Sequence, residues 1–190
     1  MLLDYFDDLE RSACLRVNAL SRRTAVARFF GDVSRLGDYP AWVILGIVCI
    51  TWPGVPAGQV ALQSGLTALV GVLLYKLLKE RLVRERPFVR YGEIVCGAPP
   101  LDRYSFPSGH TLHAVSFSVV FGTYVPLLLW ILVPFALLVA LSRVILGLHY
   151  PSDVAVGGTL GLLLALASLA AGKWLFLASS FTRSFTRSLA

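Results

Sequence analysis

The sequence predicts an all-α, polytopic transmembrane helical bundle of five to six spans, preceded by an N-terminal amphipathic helical segment. Two observations carry this class. Apolar residues make up 56% of the 190-residue chain and charged residues only 15%, whereas soluble domains carry roughly 25% charged residues. The apolar residues are gathered into long runs, the pattern of helices that satisfy their backbone inside a bilayer. A chain of this length makes one domain.

Residues 1–38 are too charged to span. Within them Leu9, Ala13, Val17 and Leu20 alternate with Arg11, Arg16, Arg22 and Arg23, so one or two amphipathic helices are expected at the membrane surface, or a solvated helical arm. A sixth span exists only if this segment inserts. The first ten residues are acidic and lack the basic start of a cleavable signal peptide. Residues 39–178 are expected to form the membrane-embedded domain. Its first span covers about 39–53, with Pro40 in the first turn and Trp42 and Trp52 at the two interfaces. Residues 53–58 read as a tight Pro-Gly turn. A second span covers about 59–78, its helix continuing to Arg84. A long polar loop follows over 86–106, a length that is usually functional or disordered. Residues 109–148 form an apolar hairpin broken near Gly122 to Pro126. The last span covers about 153–175, where Gly157, Gly158, Gly161 and Ala165 suit close helix packing. Residues 179–190 form a short basic tail with a repeated Ser-Phe-Thr-Arg.

The cysteines, Cys14, Cys49 and Cys96, are odd in number and widely spaced, which gives neither a disulfide framework nor a zinc site. The net charge of +6 is unevenly placed. Six of the 17 basic residues precede Tyr39, and seven more lie between Lys76 and Arg103. Such clusters favour anionic headgroups or a phosphorylated substrate; the hydrocarbon-like flanks argue against nucleic acid.

Three short blocks concentrate the chemistry: Lys79-x6-Arg86-Pro87, then Pro107-Ser108-Gly109-His110, then Ser142-Arg143-x5-His149-x3-Asp153. On one continuous helix Lys79 and Arg86 would share a face, offset by about 20°, and Pro87 would end that helix. Lys76, Arg81, Arg84 and Arg90 read instead as a snorkelling basic collar. Ser108 can cap a helix, and Gly109 lets backbone approach an anion at a helix N-terminus. His110 then falls in the first turn, while His113 reads as a polar interface residue one turn deeper. Arg143 is the one charge in a long apolar run, and intramembrane charges are functional by default. Asp153 can accept from His149 Nδ1 and leave Nε2 free, the orienting role of a triad carboxylate; a plain His–Asp cap at a helix start is the other reading. Each block lies at a span boundary, and alternating spans put all three on one side of the membrane.

These blocks resemble those of the type 2 phosphatidic acid phosphatase superfamily, the lipid phosphate phosphatases, whose pattern is K-x6-R-P, P-S-G-H, S-R-x5-H-x3-D. Every defining position is filled, over about two-fifths of the chain. The resemblance implies a membrane phosphatase acting on a lipid phosphate through a phosphohistidine. Candidate substrates are phosphatidic acid, phosphatidylglycerophosphate, a polyprenyl (undecaprenyl) mono- or diphosphate, and lipid A phosphate, with the polyprenyl diphosphate favoured. Lys79, Arg86 and Arg143 would clamp the phosphate, with Ser108 and the Gly109 backbone completing the cradle. His149 would attack, oriented by Asp153, and His110 would protonate the leaving oxygen. Neither a metal nor another cofactor is implied, since three cations take that part. Partners reduce to the lipid substrate and the bilayer; no oligomeric state is implied.

Sidedness is in tension. Fourteen of 17 basic residues fall on the active-site side, which by the positive-inside rule would be cytoplasmic. The resemblance implies a bacterial inner membrane with the site facing the periplasm, and the catalytic use of several cations favours that choice. Two other classes stay open: a non-catalytic phospholipid-binding or transport protein, and a vanadate-dependent haloperoxidase-like enzyme.

Overall fold

The computed structural model describes the backbone of residues 2–188 and the side chains of residues 7–173. Every regular element among them is helical: α1 (Leu2–Asn18), α2 (Thr24–Leu36), α3 (Pro40–Thr51), α4 (Ala57–Leu82), the single turn α5 (Pro87–Arg90), α6 (Gly109–Tyr124), α7 (Leu129–Ile145) and α8 (Pro151–Ser188). Short 3-10 turns follow α1 and precede α7. The last helix therefore runs unbroken into the stretch read as a separate tail. Residues 189–190 of that tail lie outside the described residues.

The helix α6 forms the axis of the bundle and packs against α3, α4, α7 and α8. Its Leu112, Ala114, Val120 and Phe121 are buried, whereas α3, α4, α7 and α8 turn Ile44, Leu66, Leu73, Trp130, Leu137 and Leu163 outward. Large apolar side chains facing away from the core are the mark of a bundle solvated by lipid.

Three segments are long and apolar enough to cross a bilayer: Ala57–Arg90, Pro126–Ile145 and Pro151–Lys173. The pair α2 and α3, bent by 49°, makes a fourth if taken as one broken span. Five to six spans are not reached by this measure because α3 and α6 are short. At 1.5 Å per residue, the 16 residues of α6 cover only about 24 Å.

Two local expectations are corrected. The helix α4 stops at Leu82, where Val83 adopts a left-handed conformation (φ 41°), and does not reach Arg84. Arg86 is extended, as a residue before proline tends to be, and Pro87 opens α5 rather than closing α4. Lys79 and Arg86 therefore do not share a helix face. The N-terminal segment also does more than lie on a surface: α1 packs on α7 and α8. Its terminal Asn18, buried, donates to the Val95 and Ile145 carbonyls, both at 2.9 Å, and accepts from Val95 N–H at 2.8 Å. Thus α1 braces the polar loop.

The tightest packing is backbone against backbone, where α8 crosses α6. A Cβ on Gly157 would come 2.5 Å from the Ser108 carbonyl oxygen, and one on Gly161 would overlap that of Leu112. On Gly158 it would meet only methyl groups, 3.7–3.8 Å away. Gly161→Ala is therefore expected to lower stability by about 1–3 kcal/mol, read as a lower thermal midpoint in detergent, with Gly158→Ala close to unchanged.

Candidate active site

The third block is shaped by the way α7 ends. Gly147 is left-handed (φ 71°), Gly147 N–H bonds to Val144 C=O and Leu148 N–H to Arg143 C=O, each at 3.0 Å. This pair of bonds is a Schellman closure, which favours glycine at the left-handed position. It folds the chain back so that His149 N–H also reaches Arg143 C=O at 3.0 Å. Five intervening residues thereby place the His149 ring beside the Arg143 end of the helix. The second block is joined to the third directly, by Ser108 N–H donating to Asp153 C=O at 3.1 Å.

Six of the eight expected residues line one cavity of about 470 Å³: Lys79, Arg86, Gly109, His110, Arg143 and His149. Arg86 reaches it from its loop, donating to Leu148 C=O at 2.8 Å, with Nη1 3.3 Å from His149 Nε2. Arg143 donates to Ser34 Oγ of α2; its Nε is buried without a partner, and it makes no ion pair among the described residues. Ser108 and Asp153 lie behind this lining. Ser108 caps α6 through Thr111, 2.9 Å between hydroxyls and 3.4 Å from Thr111 N–H. Asp153 Oδ2 accepts from Tyr150 N–H at 2.9 Å but stays 3.6 Å from His149 Nδ1. The expected His149–Asp153 hydrogen bond is thus not closed, and His149 Nδ1 is buried without a partner. Oδ2, the oxygen that faces the ring, is taken by Tyr150 N–H, and Arg84 Nη1 holds the other oxygen, Oδ1, at 2.7 Å.

Sequence reasoning missed four residues here. Arg84, assigned to the basic collar, stacks over the Tyr150 ring at 3.9 Å and pairs with Asp153 and with Glu10 of α1. Asp38, at the break between α2 and α3, contacts His110 Nε2. Asp102, in the polar loop, sits between Lys79 and Arg86. No spacing rule marks any of these carboxylates, because each arrives from a loop or a distant helix. His113 packs at the interface, with Nδ1 3.0 Å from Gly109 C=O and its ring on Tyr75 and Phe117, and it also lines the cavity.

Electrostatics keep the His149 ring neutral. Burial first, then the charges of Arg143, Arg86 and Lys79, hold His149 well below the usual histidine value. Its ring is therefore uncharged at neutral pH, with Nε2 turned toward Arg86 in the cavity. Asp102 behaves oppositely. Burial pushes its carboxyl up, but the hydrogen bonds and charges of Lys79 and Arg86 outweigh this and hold it below the ordinary range.

Residues 60–177 match the PAP2 superfamily, and the chain belongs to it. It is an integral-membrane phosphatase of that superfamily. Over 148 residues it is 36% identical to the decaprenylphosphoryl-5-phosphoribose phosphatase of Mycobacterium tuberculosis, covering 76% of this chain and 79% of that one. It is 34% identical over 93 residues to the undecaprenyl-diphosphatase BcrC of Bacillus subtilis, about half of each chain (49% and 48%). The crystal structure of a transmembrane PAP2-type phosphatidylglycerolphosphate phosphatase from Bacillus subtilis superposes with a TM-score of 0.68 at 26% identity, covering 89% of this chain and 87% of that one.

Because His149 is held below its usual value near 6.5, the unfolded chain binds a proton there that the folded chain refuses. Stability is then lost as pH falls through about 6.5. Thermal midpoints in detergent are expected to drop between about pH 7 and pH 5.5, and to drop less in His149→Gln.

Proposed function

We propose that this protein hydrolyses the phosphate of a polyprenyl-linked lipid, with His149 as nucleophile. One observation carries the reading. The cavity gathers Lys79, Arg86, Arg143, His110 and His149, together with Asp38 and Asp102, and its lining continues along Val43, Ile47 and Ile50 of α3, Ala61, Ala68 and Val72 of α4 and Phe121 of α6, with Ser64 as a polar member of that stretch. A ligand that fills it has an anionic head and an apolar tail, the description of a lipid phosphate. The M. tuberculosis relative's decaprenyl substrate favours a polyprenyl tail.

In this mechanism Lys79, Arg86 and Arg143 bind the non-bridging oxygens, where charge accumulates as phosphoryl transfer proceeds. The buried Arg143 Nε and the N–H groups opening α6 are donors suited to the same anion. His149 Nε2 forms the N–P bond as the bond from phosphorus to the lipid oxygen breaks, and His110 gives its proton to that oxygen. Water then attacks the phosphohistidine, returning a proton to His110 and freeing His149 and inorganic phosphate. Asp153 holds the start of α8 and the loop that carries His149, with Oδ2 facing Nδ1 at 3.6 Å. Ser108 supports the cradle as the cap of α6 rather than by direct contact. The three fixed cations supply the charge stabilisation that a metal gives elsewhere, so the reaction is expected to need none. In this reading the site faces the periplasm from the inner membrane, since several of the cations on its side have a use in the reaction.

Two tests follow from this assignment. Phosphate release from undecaprenyl diphosphate, phosphatidylglycerophosphate and phosphatidic acid is expected in the presence of EDTA, fastest for the polyprenyl lipid. His149→Ala should abolish release, by at least about 10³-fold, while leaving the detergent-solubilised fold intact. Lipid-phosphate binding without release by the wild type would favour a carrier instead. Cys96 is the exposed one of the three cysteines; an impermeant maleimide should label it in intact cells. Protection until lysis would put the site in the cytoplasm.

A further inference from the structure

The cationic end of the cavity already holds an anion, and that anion belongs to the chain. Both carboxylate oxygens of Asp102 accept from Lys79 Nζ at 2.7 Å, and Oδ1 also accepts from Arg86 Nη2 at 2.7 Å. Arg86 Nε adds a bond to the Asp102 carbonyl at 3.1 Å. The cations are buried, with side chains 8% and 2% exposed, whereas the Asp102 side chain is 36% exposed and reaches them from the mouth of the cavity. A carboxylate here satisfies the donors that a phosphate would use, in the same charge-assisted geometry. Both anions cannot hold these donors together, and their like charges repel.

The placement of Asp102 lets it leave. It stands in an irregular stretch whose backbone is fastened on either side, by Gly97 N–H to Leu146 C=O at 3.0 Å and Ser105 N–H to Arg84 C=O at 2.9 Å, and at its own carbonyl by Arg86 Nε, a bond that rotation of the side chain leaves in place. Between these points Leu101 is exposed while lining the cavity, and no regular element fixes the backbone. Rotation of one partly exposed side chain toward water would clear the clamp.

We propose that Asp102 is a resident competitor for the phosphate clamp: a ligand must displace its carboxylate from Lys79 and Arg86, and its return expels inorganic phosphate after the reaction. This rests on the phosphate-binding reading above. The competition weakens all phosphates alike, as uniform binding would strengthen them alike. A lipid phosphate regains the loss by burying its tail between α3 and α4. Free phosphate has no tail, so it is shed and the site is not held by its own product. The opposite role, a brace that positions Lys79 and Arg86 for substrate, makes the opposite forecast.

The experiment compares wild type with Asp102→Asn and Asp102→Ser in detergent. Calorimetry would measure the affinity for inorganic phosphate and orthovanadate, alongside the inhibition constant of phosphate against lipid hydrolysis. Both variants are expected to bind the two free anions about tenfold tighter or more, with stronger product inhibition. Unchanged or weaker binding in the variants would overturn the proposal in favour of the brace. Failure of both variants to fold would overturn it too, since the carboxylate would then be structural. Absence of anion binding in wild type and variants alike would remove the phosphate-binding reading itself, and this proposal with it.

Discussion

Three cations, Lys79, Arg86 and Arg143, are buried in a bundle whose remaining surface is made for lipid, and much of the architecture answers that one constraint. Desolvating a charge costs several kcal/mol unless hydrogen bonds replace its water. The chain meets this with main-chain carbonyls of Leu148 and Asp102, the Ser34 hydroxyl and a single shared carboxylate. It does not meet it completely: Arg143 Nε stays unpartnered. Under the proposed function, an anionic ligand in the cavity would answer that remaining donor. Burial, and then the same charges, keep His149 neutral, so in the proposed mechanism the cations that would attract the phosphate also help leave the attacking ring unprotonated.

Holding such charges in place requires a rigid frame, and here it is made of backbone. Glycines on α8 admit the carbonyls of Ser108 and Leu112 from α6, where any side chain would force the helices apart. The Schellman closure of α7 then returns His149 to Arg143. These contacts do not depend on side-chain rotamers, so they hold positions more tightly than an apolar interface could. That matters because phosphoryl transfer gains most from groups already in place before charge develops.

The N-terminal segment links the frame to the polar loop. Asn18 stitches the loop to α7, Arg11 and Arg90 pair with Glu93 and Asp7, and Glu10 shares Arg84 with Asp153. The break between α2 and α3 brings Asp38 to His110. A segment that reads as a membrane-surface helix is thus built into the walls of the site, and it holds in place a loop with little regular structure of its own.

The sequence by itself determined the helical membrane class, the positions of most helix boundaries and six residues that line one cavity. Hydropathy runs, Pro and Gly punctuation and fixed motif spacing are local properties, and local chemistry suffices for them. Even where the local reasoning failed its residues converged: Lys79 and Arg86 do not share a helix face, because Val83 and Pro87 break the helix between them, yet both meet at Asp102. Only the tertiary structure decided which carboxylates answer the cations. Asp38, Asp102 and Glu10 lie far in sequence from their partners His110, Lys79 and Arg84, and electrostatic pairing across a folded bundle leaves no periodic trace in the chain. The same holds for the open gap between Asp153 and His149. A spacing of four residues permits that hydrogen bond, but the folded chain gives Oδ2 to Tyr150 N–H and Oδ1 to Arg84, partners that the spacing does not reveal.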